Sequence, residues 1–163
     1  MKDTEIIKKC EEVLKEILDH LNLDTKMKVS MEIDEEDEKY LRANIEGDDL
    51  GNLIGYRGNN LNALQIILSR ILVSELDEPI KILVDINNYR EKRKEYLISL
   101  ARKAMQEAVE SGQDVGLQPL SAFERRIIHM ALKDDNKVTT ESEGEGEDRH
   151  VIVKINKKIE DKE

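Results

Sequence analysis

A chain of 163 residues is long enough for one ordinary domain or two small ones, and for a real buried core. Charged residues make up 38% of it and aromatics 3%; regularly spaced aliphatics in nearly every segment exclude wholesale disorder and suit a soluble, helix-rich protein with an Ile, Leu and Val core. A single cysteine, Cys10, excludes an internal disulfide and a cysteine-built zinc site.

Net charge is -10, which taken whole argues against a nucleic-acid partner, but its distribution does not. Residues 1–49 carry 8 Lys/Arg against 16 Asp/Glu and residues 134–163 carry 6 against 10, whereas residues 50–103 carry 9 against 6. Acid sits at the two ends and the middle is mildly basic, as in a selective binder rather than a condenser of nucleic acid. No apolar run reaches the roughly 18 residues of a membrane span, so no stable membrane insertion is expected. The Lys/Asp/Glu-rich start has no apolar signal region, and the default location is cytoplasmic.

In chain order, Ile6, Cys10, Val13, Leu14, Ile17, Leu18 and Leu21 recur at helical spacing and predict a helix over about 4–21. Residues 27–34 alternate apolar and polar as a half-buried strand does. An acidic turn at 35–38 leads to a second strand at 40–46, and the two make a hairpin. Residues 50–54 predict a short helix, interrupted by Gly55 to Gly58, and Asn59 opens a longer one that Pro79 stops. Residues 80–86 form a third strand. Asn88 and Glu91 offer a capping box to the next helix, which has a basic first half (Arg90, Lys92, Arg93, Lys94) and an apolar stripe of Leu97, Leu100, Ala101, Ala104 and Ala108. Residues 115–117 suit a short strand. Ser121 and Glu124 cap a helix to about Lys133, and residues 138–141 and 150–155 predict a last hairpin around an acidic tip.

A bare Gly-x-x-Gly pair is a weak motif, arising about 0.4 times by chance at this glycine content. Its setting strengthens it. Gly55-Tyr56-Arg57-Gly58 falls between two helices, and glycines without a Cβ let a sugar-phosphate backbone approach closely. The start of the second helix and the Arg57 guanidinium both attract phosphate. Local sequence alone also fits a plain helical corner in which glycines only relieve strain. A P-loop is disfavoured, because Asn59-Asn60 follow Gly58 where Lys-Ser/Thr is needed.

The run from Asn52 to Gln65 resembles the core of a type II KH domain, whose element order is the one just read. The resemblance implies an α+β fold of αββααβ order, with a three-stranded mixed sheet and helices on one face. It also implies a loop that clamps single-stranded nucleic acid beside a groove lined by apolar side chains of the flanking helix and third strand. Tyr56 departs from the family, in which the central loop positions are often basic. Further on, Arg125 and His129 lie four apart on one helix face, within a Pro119-to-His129 run that resembles the small α/β R-three-H single-stranded nucleic-acid-binding domain. KH followed by R-three-H is the arrangement of the Jag (SpoIIIJ-associated, KhpB-like) proteins, which usually carry a further amino-terminal domain; the expectation is either a fragment or a shortened member.

The expected organisation is therefore a KH domain at 1–88, an R-three-H domain at 89–157 and a disordered tail at 158–163. Candidate RNA-binding residues are Ile54, Gly55, Tyr56, Arg57, Gly58, Asn59 and Asn60 at the loop, Arg90 and Arg93 on the basic helix, and Arg125, Arg126 and His129 on a solvent-facing surface of the second domain. Family membership implies single-stranded RNA as partner, regulation of transcripts or RNA chaperoning linked to cell-envelope growth, and a small single-KH protein as heterodimer partner; a homodimer is the other association it allows. No catalytic constellation, cofactor or metal site is legible, so an enzyme is not expected. The rival reading is a protein-interaction scaffold with a degenerate RNA groove, favoured by the net charge and by Tyr56.

Overall fold

The computed structural model describes residues 2–77 and 79–156, so the expected tail at 158–163 lies outside the described residues. The chain divides into two compact units between Arg90 and Glu91.

In the first unit, α1 (Asp3–His20) buries Ile6, Cys10, Val13, Leu14 and Leu18 along one stripe. Burial pushes the Cys10 thiol up to about 12, so it packs as a small apolar group. β1 (Lys26–Ile33) and β2 (Lys39–Glu46) pair antiparallel, with Val29 opposite Ala43. The acidic turn between them is fixed by Asp34, whose Oδ1 accepts the N–H groups of Glu36 and Glu38, both at 2.9 Å. β3 (Lys81–Ile86) lies parallel to β2, with Ala43 beside Val84, and the sheet order is β1-β2-β3.

Parallel neighbours need a long crossover. Here it consists of α2 (Gly51–Ile54), a 3-10 turn (Tyr56–Gly58) and α3 (Asn59–Leu76). Leu41, Ala43 and Ile45 of β2 face α1 and α3 in one core, which also holds Leu61, Leu64, Leu68 and Leu72 of α3. Each such buried leucine contributes about 1.5–3 kcal/mol. The open edge of β3 is covered rather than bare: the Val84 N–H donates to Gln65 Oε1 (3.0 Å), and Arg90 Nε donates to the Val84 carbonyl (2.9 Å).

α4 (Tyr89–Ser111) opens at the end of the first unit. Its start differs from the expected capping box. Asn88 has φ 56°, in the left-handed region, whereas an N-cap needs extended backbone. The buried carboxylate of Asp85 does the capping instead, accepting from the Arg90 N–H at 3.2 Å.

The second unit buries Leu97, Ala101, Ala104 and Ala108 of α4 against Ile128 and Leu132 of α5 (Ala122–Leu132) and against a second sheet. That sheet comprises β4 (Val115–Gly116), β5 (Val138–Glu143) and β6 (His150–Ile155), ordered β4-β6-β5 and antiparallel throughout. β5 runs two residues beyond the expected Glu141, because Ser142 and Glu143 pair with Val151 and His150. Among the described residues no helix is long and apolar enough to cross a membrane.

Candidate nucleic-acid interface

Two glycines of the crossover loop stand where no other residue fits. Gly55 has φ 72° and ψ 179°, a region essentially reserved for glycine. A Cβ on it would lie 2.5 Å from Cγ of Asn60. That Asn60 side chain is itself fixed, donating from Nδ2 to the Asn52 carbonyl at 2.8 Å. Gly58 is buried with φ 80°, and a Cβ there would come within 2.8 Å of the Tyr89 ring. Arg57 between them is also left-handed, at φ 52°. The loop is a tight corner held from both sides, by Asn60 and by Tyr89.

At its tip Tyr56 is 72% exposed, and the Arg57 guanidinium sits 4.8 Å from the Tyr56 ring centroid as a cation–π pair. No side chain caps α3, so the positive end of its dipole faces the corner. From the loop outward, Asn59, Ala63, Ile66 and Arg70 form an exposed strip along α3 at helical spacing. Leu53 and Ile54, on the other flank, pack half-buried against the core.

In the second unit, α5 starts on a complete capping box: the Glu124 N–H donates to Ser121 Oγ, and the Ser121 N–H to Glu124 Oε2 at 3.0 Å. Burial pushes the Glu124 carboxyl up, but the Ser121 N–H and the Arg93 guanidinium outweigh it and hold it below the ordinary carboxylate range. One turn on, His129 is half-buried and both ring nitrogens are engaged, Nδ1 with Thr140 Oγ1 (2.6 Å) and Nε2 with Ser142 Oγ (2.9 Å). Burial and then the positive charge of Arg125 lower its pKa. Arg125 is half-buried too, donating from Nη1 to the Leu120 carbonyl at 2.7 Å. A neutral imidazole, two hydroxyls and a guanidinium thus share one side of α5 and β5, a set that offers donors and acceptors to a sugar or phosphate.

Family comparison divides the chain in the same sense. The description "KhpA/KhpB, KH domain" matches residues 11–86, and the R-three-H domain family matches residues 95–154. Similar curated proteins carry the name RNA-binding protein KhpB. One from Clostridium symbiosum is 39% identical over 88% of this chain and 64% of its own length. One from Bacillus subtilis is 36% identical over 73% of this chain and 58% of its own, and one from Lactiplantibacillus plantarum is 34% identical over 73% and 37%. The chain is a KhpB-like protein with a KH domain followed by an R-three-H domain. It spans between about a third and two thirds of the length of these relatives.

In this KhpB-like chain, Ile54 to Asn60 are brought together around one corner. Asn60 has its amide tied to the Asn52 carbonyl as a strut, and Asn59 and Asn60 are both exposed. Arg90 is spent within its own unit. Besides Val84 it donates to Gln65 Oε1 (3.0 Å) and to Asn62 Oδ1 (3.3 Å). Arg93 is likewise committed, with Nε and Nη2 at 2.9 and 2.7 Å from Glu124 Oε1 and the guanidinium over Tyr96. Arg126 is exposed on α5. Four contributors were not anticipated from sequence: Tyr89, Gln65, Thr140 and Ser142. The alternation of Thr140 and Ser142 along β5 is a signal that sequence offers; the approach of Tyr89 to Gly58 leaves none.

Proposed function

We propose that this chain binds single-stranded RNA, gripping the sugar-phosphate backbone at Gly55 to Gly58 and making a second contact around Arg125, Arg126 and His129. The observation that carries the reading is the loop itself. Two positions closed to any Cβ, a charged guanidinium at the tip and an uncapped helix start are what close backbone approach to a phosphate requires. The relatives' printed name, RNA-binding protein, supports it.

Within this reading the KH domain occupies 1–88 and the R-three-H domain 89–157. Ile54, Asn59 and Asn60 flank the gripped backbone, while Arg90 and Arg93 act by positioning α3 and α5 rather than by touching RNA. The finer proposal is a cytoplasmic post-transcriptional regulator or RNA chaperone linked to envelope growth, working with a small single-KH protein or as a homodimer, without membrane insertion or cofactor and without catalysis.

Changing Tyr56 and Arg57 together to Asp tests this. Both glycines and the loop length stay, so circular dichroism should be unchanged. Two carboxylates then face the phosphates, and affinity of the first unit for single-stranded RNA should be nearly abolished. One lost phosphate contact should also flatten the dependence of log K on log salt by about 0.7. Wild-type affinity in this variant would overturn the reading in favour of the scaffold, which the net charge of -10 and Tyr56 in the loop favour.

A further inference from the structure

We propose that a second, apolar subsite between α4 and α5 accepts an unstacked base of the RNA strand, with Phe123 as its platform. This rests on the reading that the chain binds RNA, and adds a site on a different face of α5 from Arg125 and His129.

A groove of 370 Å³ is lined by Ile98, Ile127, Met130 and Phe123, with Lys94 and Arg126 at its edge. Phe123 is the only phenylalanine in a chain with very few aromatics, and it is 73% exposed; Met130 beside it is 60% exposed. Two such side chains next to each other on the surface of a unit this small mark a binding surface rather than scattered apolar residues. The charge around it selects the occupant. Both ionisable residues lining the groove are cations, and among the described residues no carboxylate lines it. Lys94 has a loose neighbour in Glu91, 4.0 Å away, with both side chains exposed.

An apolar floor with an aromatic plate and a cationic edge fits a nucleobase attached to a phosphate. Stacking on an aromatic ring accepts any base, and the edge cations take the charge. At 100° per residue, Arg126 falls on α5 between His129 on one side and Phe123 and Met130 on the other. A strand whose phosphate meets Arg126 can therefore touch the His129 side with one nucleotide and lay the next base on Phe123.

The test uses the full chain and two short oligoribonucleotides of equal length, one mixed-sequence and one abasic, which share phosphates and differ in bases. F123A and F123L should each bind the base-bearing strand about tenfold more weakly, the effect of losing one base stack, and the abasic strand unchanged. Since F123L keeps apolar area without a ring face, wild-type affinity in F123L would overturn stacking. The chain contains no tryptophan, so in F123W the indole reports this position alone. Its emission should be quenched by the base-bearing strand and not by the abasic one. An indole silent at RNA saturation overturns the proposal. So does a concentration-dependent dimer that F123A abolishes while leaving RNA affinity intact, which would make a second copy the occupant. Failure of the wild type to bind either strand removes the RNA reading itself; binding with a silent groove removes only this subsite.

Discussion

His129 shows how packing fixes the state of a side chain proposed to meet RNA. Its two nitrogens take Thr140 and Ser142, which fixes the ring, while burial and Arg125 keep it neutral. Because its folded pKa lies below the ordinary value of about 6.5, the unfolded chain binds a proton that the folded one resists. The His129 contribution to stability is therefore intact above that value, falls as pH drops through it, and levels off once pH passes below the folded pKa. Replacing His129 by Gln keeps a group able to bond both hydroxyls and removes the titration. Melting temperatures at pH 7.5 and 5.5 should differ more in the wild type than in H129Q; an equal difference would show that the ring carries no such linkage. Arg90 and Arg93 mark the opposite case. A run of cations reads as an RNA stripe in sequence, yet their guanidinium partners, the Val84 carbonyl and the Glu124 carboxylate, are chosen by tertiary approach, which charge patterning does not encode.

At the scale of the element, the loop depends on the helix that follows it. A Cβ at position 55 would displace Asn60, breaking its bond to Asn52, and would force a backbone angle reserved for glycine. G55A should cost about 2–4 kcal/mol, from roughly 1–3 of strain and about 1 for the lost bond. In the G55A/N60A double variant the contacts with Cγ and Nδ2 are gone, and the strain and the approach to the Cβ of residue 60 at 2.8 Å remain, so the two costs should fall short of additivity in a double-mutant cycle read by denaturant unfolding. Strict additivity would mean that the two residues do not meet. Most of the elements were legible because periods of two and 3.6 ran cleanly through them, and the loop was legible because two glycines stood between two such runs. The start of α4 was not. Asn88 and Glu91 have the right residue types for a cap, but consecutive left-handed residues at Asn87 and Asn88 hand the task to Asp85, which only the parallel strand brings there. The two extra residues of β5 were hidden for a similar reason. Ser142 and Glu143 look like loop, and are strand because β6 pairs with them.

For the molecule as a whole, the proposed RNA binding makes charge decisive before any contact forms. A net charge of -10 repels a polyanion at long range, while the gripping groups are few. The acidic turn at 34–38 is one source of that repulsion, and its exposed Glu35 and Glu36 can change without touching the Asp34 oxygen that organises the turn. Glu35 and Glu36 both changed to Gln should raise the association rate with single-stranded RNA severalfold at low salt, leaving the dissociation rate unchanged. The gain should vanish at molar salt, where the Debye length is about 3 Å. Stopped-flow association at two ionic strengths checks this, and a change in dissociation rate instead would place the turn in contact with RNA.

The covered edge of β3 has a consequence for the order in which the protein is made. The hairpin of β1 and β2 is complete once residue 46 has left the ribosome, but β3 pairs only after the whole crossover, and the groups that close its edge and back the loop come later still. Until Tyr89 and Arg90 emerge, the nascent chain has its glycine corner without its buttress and a strand edge open to neighbours. Translation thus separates the appearance of the Gly-x-x-Gly residues from the maturation of the grip by about thirty residues of synthesis, a few seconds at ordinary elongation rates. During that interval the half-made protein presents the motif without the geometry on which the proposed grip depends.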